Sequence, residues 1–376
     1  MFDDIRPYDD AETAAALKRA SNNSLLEPIS AFLFPGKDPD ILRNTLNTIH
    51  GVDDFQTRVM YPAVRSIIGK TTRGVTFDGL GWFDGGKCYT MLSSHRDIVL
   101  DSAFIQYIFK DNGLSLSEIA VGDNLVSNQF VEDLMRSNRM IKVVRSTNPR
   151  ELYSTSRNLS AYIRKRLSDR EPASIWISHR NGRTKDGLDQ TEQGLLKMLS
   201  LSGSCDFAEN MAELRIMPVS VSYEYETCGI KKAYETYLKN RIGMYNKRPG
   251  EDIDSIITGI VEKKGRVHIS FCEPVSQEDL DKCAALDKND RFRALASVID
   301  SRIVSSYRIW PTNIAAAELI EGKAPSDARV SANFEKYIDG EIRSLPSMSK
   351  AARNAIRERL LLIYANPVLR RKELTI

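Results

Sequence analysis

His95 stands in the segment MLSSHRDIVLDSAFIQYIF, just after an apolar run and just before an amphipathic one, with Asp97 and Asp101 close behind it. A histidine becomes a useful base when a carboxylate fixes its tautomer and stabilises its protonated form. A carboxylate aimed back from the next helical turn would do this, leaving the ring to take a proton from a hydroxyl of a bound molecule. Downstream, Arg145 and Arg183 each follow an apolar run. A guanidinium presents a planar fork that pairs with phosphate through two hydrogen bonds, so both suit a dianionic ligand. Lys142 or Lys185 would add a less directional charge. The basic residues crowd into one stretch: Arg136, Arg139, Lys142, Arg145 and Arg150, then Arg164, Lys165, Arg166, Arg180, Arg183 and Lys185. Such a run also reads as a solvated or ion-paired face.

The remaining histidines offer less. His50 precedes Gly51 at a helix end, where histidine commonly meets terminal carbonyls, and His268 alternates within RVHISF; both read as structural. His179 shares the loop of Arg183 and reads equally as a support for the site or as a solvent-facing residue. A hydrolase using His95 with Ser94 or Ser102 is a second reading, but no glycine-x-serine-x-glycine elbow supports it. Five scattered cysteines (Cys88, Cys205, Cys228, Cys272, Cys283) suit neither a disulfide framework nor a zinc site and read as reduced thiols of a cytoplasmic protein. No metal-ligand cluster and no nucleotide-type glycine loop is present, so no cofactor is expected. A net charge of +3 is too small to argue for nucleic acid. No stretch approaches the roughly 20 apolar residues that span a bilayer, and the acidic start MFDDIRPYDDAE lacks the features of a signal peptide. The chain therefore reads as cytoplasmic, or peripheral on the cytoplasmic membrane.

The elements that must hold these residues fall into three parts. Residues 1–80 form a small helical unit, with helical spacing over 9–21 (capped by Asp9 or Asp10), 38–50 and 53–69. Over 81–310, apolar runs alternate with helical segments. The runs are Cys88–Leu92, Glu118–Val121, Ile141–Val144, Ser174–Ile177, Arg215–Tyr223 and Arg266–Phe271. The helical segments are 101–110, 127–138, 148–168, 189–200, 231–242 and 277–306. This alternation predicts an α/β domain with a mixed, mostly parallel central sheet flanked by helices. Ligands of such domains sit beyond the carboxyl ends of the strands, where every polar motif above falls. Residues 311–376 form a C-terminal helical extension with a basic end, LRRKELTI.

Six ordered blocks carry a family resemblance. SSHRDIVLDSAF resembles the first motif of the glycerol-3-phosphate and lysophosphatidate acyltransferase family, where a histidine precedes an aspartate by four intervening residues. Leu100 stands where that aspartate would fall; Asp101 is the favoured replacement because its following helix aligns, and Asp97 the alternative. GDNL at 122–125 is similar to the family's glycine-x-asparagine-leucine and gives Gly122, Asn124 and Leu125. IKVVRS at 141–146 resembles the second block, an apolar run ending in Arg145 and Ser146. SHRNGRTKDGLDQTEQGLLKM resembles the third and gives Gly182, Arg183, Thr184 and Gly194, with Arg180 in place of the family's glutamate. IMPVSVSYE at 216–224 and GRVHISFCEPV at 265–275 resemble the fourth block and the late strand.

The resemblance, strongest to the glycerol-3-phosphate branch, implies acyl transfer without a covalent intermediate. His95, oriented by Asp101 or Asp97, would activate a hydroxyl of glycerol-3-phosphate or lysophosphatidate toward an acyl-coenzyme A or acyl-carrier-protein thioester. Arg96, Asn124, Lys142, Arg145, Ser146, Gly182, Arg183, Thr184 and Lys185 would bind substrate, with backbone amides near Gly182 as oxyanion donors. An aminoacyl lipid precursor is an alternative acceptor, and a silent lipid-surface protein that lost the aspartate an alternative fate. A membrane surface is the expected partner in either case, through SLLEPISAFLF at 24–34 or the basic tail.

Overall fold

The structure, a computed structural model, describes residues 2–126 and 128–374. Seven strands form one sheet: β1 (Thr72–Asp78), β2 (Thr90–Ser93), β3 (Glu118–Gly122), β4 (Met140–Val143), β5 (Ile175–Ser178), β6 (Ile216–Tyr223) and β7 (Gly265–Phe271). Their order is β1-β7-β6-β2-β5-β3-β4. Strands β6, β2, β5, β3 and β4 are mutually parallel, while β7 pairs antiparallel with β6 and parallel with β1. The sheet is thus mixed and mostly parallel, as expected.

Period-two alternation divides the core between its faces. Leu92, Ile175, Ile177 and Ile216 face one side, packed against the helices Pro149–Ser168 and Arg291–Ser306. Met91, Trp176, Met217 and Val219 face the other, packed against Leu100–Asp111 and Tyr61–Thr71. Strand β6 is buried along all eight residues, Ser220 and Ser222 included. A third cluster joins Pro311–Glu321, Ala328–Arg343 and Lys350–Leu374 with Ile230 and Ala233. A fourth holds the first helices together around Leu17, Leu46 and Phe55.

Several expectations shift. Residues 72–78, expected inside the N-terminal helical unit, form β1 and pair with β7. Between Asp9 and Asp10, Asp9 caps the first helix in a capping box with Glu12, while Asp10 accepts from the amide of Val52. The segment 277–306 is two helices, Gln277–Ala284 and Arg291–Ser306, broken at the polar LDKND. A helix at Glu251–Val261 was not anticipated. A π-helical segment, Gln56–Met60, lies between Val52–Phe55 and Tyr61–Thr71 in one continuous helical stretch. Among the described residues no helix is long and apolar enough to cross a membrane.

Candidate active site

His95 follows β2, and its neighbours come from the carboxyl ends of the adjoining β5 and β6. Asp101, in the first turn of Leu100–Asp111, reaches back to the ring: Oδ2 lies 3.0 Å from Nδ1 of His95. The same oxygen accepts from the amides of Arg96 (2.7 Å) and Asp97 (2.9 Å), and Oδ1 accepts from the Tyr223 hydroxyl (2.8 Å). Burial, then the charge of Asp101, holds the Tyr223 phenol well above its ordinary pKa, so it remains a donor. An ionised carboxylate can only accept, so Nδ1 of His95 carries the proton and the lone pair is left on Nε2. The ring packs edge-on against Trp176, with centroids 5.7 Å apart.

Asp97 plays another part. Its Oδ1 accepts from the amides of Val99 and Leu100, both at 2.9 Å, closing the start of the helix. Its Oδ2 is buried without a hydrogen bond and lies against Gly259, where no side chain would fit. Leu100, at the position of the family aspartate, is wholly buried in the core.

The loop after β5 is laced to the histidine. The amide of Thr184 donates to the His95 carbonyl (2.8 Å), and its hydroxyl donates to Asp189 (2.9 Å). Asp189 in turn accepts from Arg96 at 2.5 Å, and Arg96 also reaches Glu226 at 3.4 Å. Lys232 completes this buried network, donating to Glu226 and to the Arg96 carbonyl, both at 2.6 Å. Arg96 and Thr184, expected to bind substrate, are therefore engaged by the protein and fix the loop geometry. Lys185 is half-buried and paired with Glu235. Gly182 adopts φ +76 with open space around it, so the backbone, not crowding, favours glycine there.

Arg183 differs from all of these. It is 9% exposed, has no carboxylate within ion-pair distance among the described residues, and its buried Nη1 has no acceptor. A buried guanidinium is costly unless an anion pairs with it. Most of its basic companions are satisfied: Arg139 by Asp53, Lys142 by Glu132, Arg164 by Glu213 and Arg166 by Glu118. Arg145 is exposed, follows the edge strand β4 three positions from β2, and lies with Asn124 against Gly122. The two arginines are thus set apart, and only Arg183 is linked to the histidine loop. Ser146 donates to Glu151 (2.7 Å) at the start of Pro149–Ser168.

His179 is fully buried, which excludes the solvent-facing reading. Burial pushes its pKa down to about 4, the Asp189 carboxylate opposing while Arg180, His95 and Arg96 add to the effect. Ser94 is buried with its Oγ accepting from the amide of Val221, and Ser102 donates to the Val99 carbonyl. Neither serine is hydrogen-bonded to His95. No group of residues that could hold a metal is found among those described. Tyr223, Asp189, Glu226 and Lys232 were not anticipated; the strand-end position of Tyr223 was the one available signal.

A small, mostly apolar groove of about 60 Å³ opens beside the site. It runs between Leu100–Asp111 and the N-terminal helices, past Val99, Ala103, Met60, Val64, Leu116 and Ile119. Ile119 pairs in register with Trp176, the residue under His95, so groove and imidazole share one face of the sheet.

No family model matches the chain, and no curated protein matches it. Among solved structures it is similar to the 1-acyl-sn-glycerophosphate (LPA) acyltransferase PlsC from Thermotoga maritima, with a TM-score of 0.42 at 10% identity, covering 77% of this chain and 94% of that chain. A likeness that low carries no functional argument, and the fold class rests on the sheet itself.

Proposed function

We propose that this chain is an O-acyltransferase of the glycerolipid type, with His95 as the general base. The observation that carries the reading is the His95–Asp101 pair, with Nε2 left as acceptor, tied through the Thr184 amide to the loop that holds the buried and unpaired guanidinium of Arg183. Nε2 takes the proton of the acceptor hydroxyl as its oxygen attacks the thioester carbonyl; the thiol leaves and the proton returns to it. Asp101 stabilises the imidazolium formed on the way. Arg183 binds the acceptor phosphate and so sets the hydroxyl against Nε2, a positioning effect that can supply several kcal/mol. Arg145 and Asn124, further along the strand ends, meet the outer part of the acceptor. Backbone amides around Gly182 stabilise the oxyanion. The groove beside Val99 takes the acyl chain.

Glycerol-3-phosphate is the first acceptor, ahead of lysophosphatidate, and the donor is acyl-coenzyme A or acyl-carrier protein, with no metal or other cofactor. The partner surface is a bilayer on the cytoplasmic side. Its first contact is the exposed stripe Ile253, Ile257 and Val261 with the neighbouring Ile242 and Met244, ahead of 24–34, where Leu25 and Ile29 are also exposed, and of the tail. In the tail Arg371 donates to the carbonyls of Val304 and Ser305 and Lys372 pairs with Glu321, while Thr375 and Ile376 lie outside the described residues.

The test is thiol release from an acyl thioester with each phosphorylated acceptor. His95→Ala should lower turnover by roughly 100-fold or more without changing the unfolding midpoint. Undiminished turnover would remove the histidine from the mechanism. Absence of transfer by the wild type to any phosphorylated glycerol would end the acyltransferase reading.

A further inference from the structure

On the far edge of the sheet from Arg145, a cleft of about 280 Å³ is lined by Arg73, Thr76, Arg266, His268, Arg308 and Trp310. Three elements build it. A bulge in β1 breaks its register with β7 between Thr72 and Val75, and Gly74 takes φ +124 there; such bulges re-aim the side chains next to them. Strand β7 supplies Arg266 and His268. The link before Pro311–Glu321 supplies Arg308 and Trp310.

The charges are arranged around one indole. Arg266 lies 4.8 Å from the Trp310 ring centroid, and Arg308 lies 5.9 Å from it. Arg266 is held by Glu224 through Nη2 at 2.9 Å and Nε at 3.1 Å, which leaves its Nη1 free to donate. Although burial pushes Glu224 up, hydrogen bonds from Arg266 hold its carboxyl below the ordinary range, so this partner stays charged. Arg73 and Arg308 are exposed and have no carboxylate within ion-pair distance among the described residues. His268 is bound by Thr76 at 2.8 Å and by Asp78 at 3.3 Å; burial, against the Asp78 charge, lowers its pKa and keeps it neutral. Trp310 is buried, and its Nε1 proton has no acceptor. Three guanidiniums thus face two carboxylates, Glu224 and Asp78, and a buried N–H donor is left over. Charge-assisted donors converging on one cleft suit an oxyanion with several acceptor oxygens.

We propose that this cleft is a second anion site, separate from Arg183, that takes a phosphate monoester. Thr312 donates to the carbonyl of Glu224, the residue after β6, so the cleft opens at the same end of the sheet as His95. Resting on the acyl-transfer reading, the ligand is the phosphate of a soluble donor carrier or the headgroup of a phosphomonoester lipid. The anion-binding claim itself needs no turnover.

Binding is measured by calorimetry with inorganic phosphate and adenosine 3′-monophosphate, and by co-sedimentation with phosphatidate vesicles against phosphatidylcholine ones. The wild type and His95→Ala should bind alike. The double variant Arg73→Gln/Arg308→Gln changes two exposed, unpaired side chains, so its unfolding midpoint should not move, while affinity falls roughly tenfold or more. Loss of binding to the soluble nucleotide assigns a soluble carrier; loss confined to phosphatidate vesicles assigns a lipid headgroup. Affinity unchanged in the double variant, affinity lost in Arg183→Gln instead, or no saturable binding of any probe to the wild type would each overturn the site. All three outcomes leave thiol release by the wild type, and so the acyl-transfer reading, to be judged separately.

Discussion

The carboxylate behind His95 is saturated: two amides, one phenol and the imidazole share its two oxygens. Replacing it with an amide keeps an oxygen where the two backbone amides and Nδ1–H donate and turns the NH2 toward the Tyr223 hydroxyl, so what is lost is the negative charge that would stabilise a protonated ring. Asp101→Asn should therefore lower turnover by roughly 10²- to 10⁴-fold. Asp97→Asn keeps the oxygen that closes the helix and should stay within a few-fold of wild type. Equal losses in the two variants would sink the assignment of Asp101. His179, one strand away, makes a stability prediction. Its pKa is about 4 in the folded chain against an ordinary 6.5, because burial disfavours the charged form. The unfolded chain therefore binds more protons between these values, and stability present above pH 6.5 is lost as pH falls toward 4. The loss amounts to roughly 3 kcal/mol from this residue. Urea unfolding at pH 7 and pH 4.5 should show a smaller difference for His179→Gln than for the wild type; identical differences would count against it.

The loop of residues 179–192 owes its shape to elements far away in the chain. The Asn366 side chain donates to the carbonyl of Asp186 (2.5 Å), and Gly187, at φ +79, lies against the carbonyl of Ile363. The helix Lys350–Leu374 thus clamps the segment that carries Arg183 and Asp189. A Cβ at Gly187 meets both a left-handed backbone and a carbonyl, whereas one at Gly182 meets only the left-handed backbone. Gly187→Ala should cost about 2 kcal/mol or more, and Gly182→Ala about 1, measured by chemical unfolding; the reverse order would count against the clamp. Such long-range contacts explain what the sequence conveys and what it withholds. Strands β2, β3, β5, β6 and β7 were legible because each is a largely buried run rich in apolar residues, and the edge strand β4 because Met140, Ile141 and Val143 keep it apolar despite half-exposed faces. Strand β1 was not, since TRGVTFD sits on an exposed edge and mixes arginine, glycine and threonine. That His95 meets a carboxylate from the following helix was legible from its context, and the resemblance added the order of the motifs. Whether Asp101 or Asp97 meets the ring, and that Arg96 is consumed by Asp189 while Arg183 stays free, depends on loops meeting across β2, β5 and β6. No local pattern encodes that.

At the scale of the whole molecule, one surface stands out beside the candidate site. Residues 239–250, KNRIGMYNKRPG, carry Lys239, Arg241, Lys247 and Arg248 and no acidic residue, and expose Ile242 and Met244. The following helix, Glu251–Val261, exposes Ile253, Ile257 and Val261 at four-residue spacing, so they form one stripe. Its opposite face packs on the site: Gly259 lies against Asp97, and the Ser255 carbonyl accepts from Cys228. Glu251, Asp252 and Asp254 open the same helix, and Lys247 pairs with Asp252. Apolar burial therefore carries the fit to a headgroup layer, with Lys239, Arg241 and Arg248 adding attraction to anionic lipid. Docking there would bring His95 toward the interface that holds a lipid acceptor or receives a lipid product. Ile253→Ser/Ile257→Ser should cut co-sedimentation with phosphatidylglycerol vesicles severalfold and leave the unfolding midpoint unchanged, because both side chains are already half exposed. Leu25→Ser/Ile29→Ser, on the other apolar segment, should bind as the wild type does. Binding that survives the first pair and fails with the second would move the contact to the N-terminal helices. A dimer in solution that the first pair dissolves would mean that this stripe meets a second copy of the chain instead of lipid.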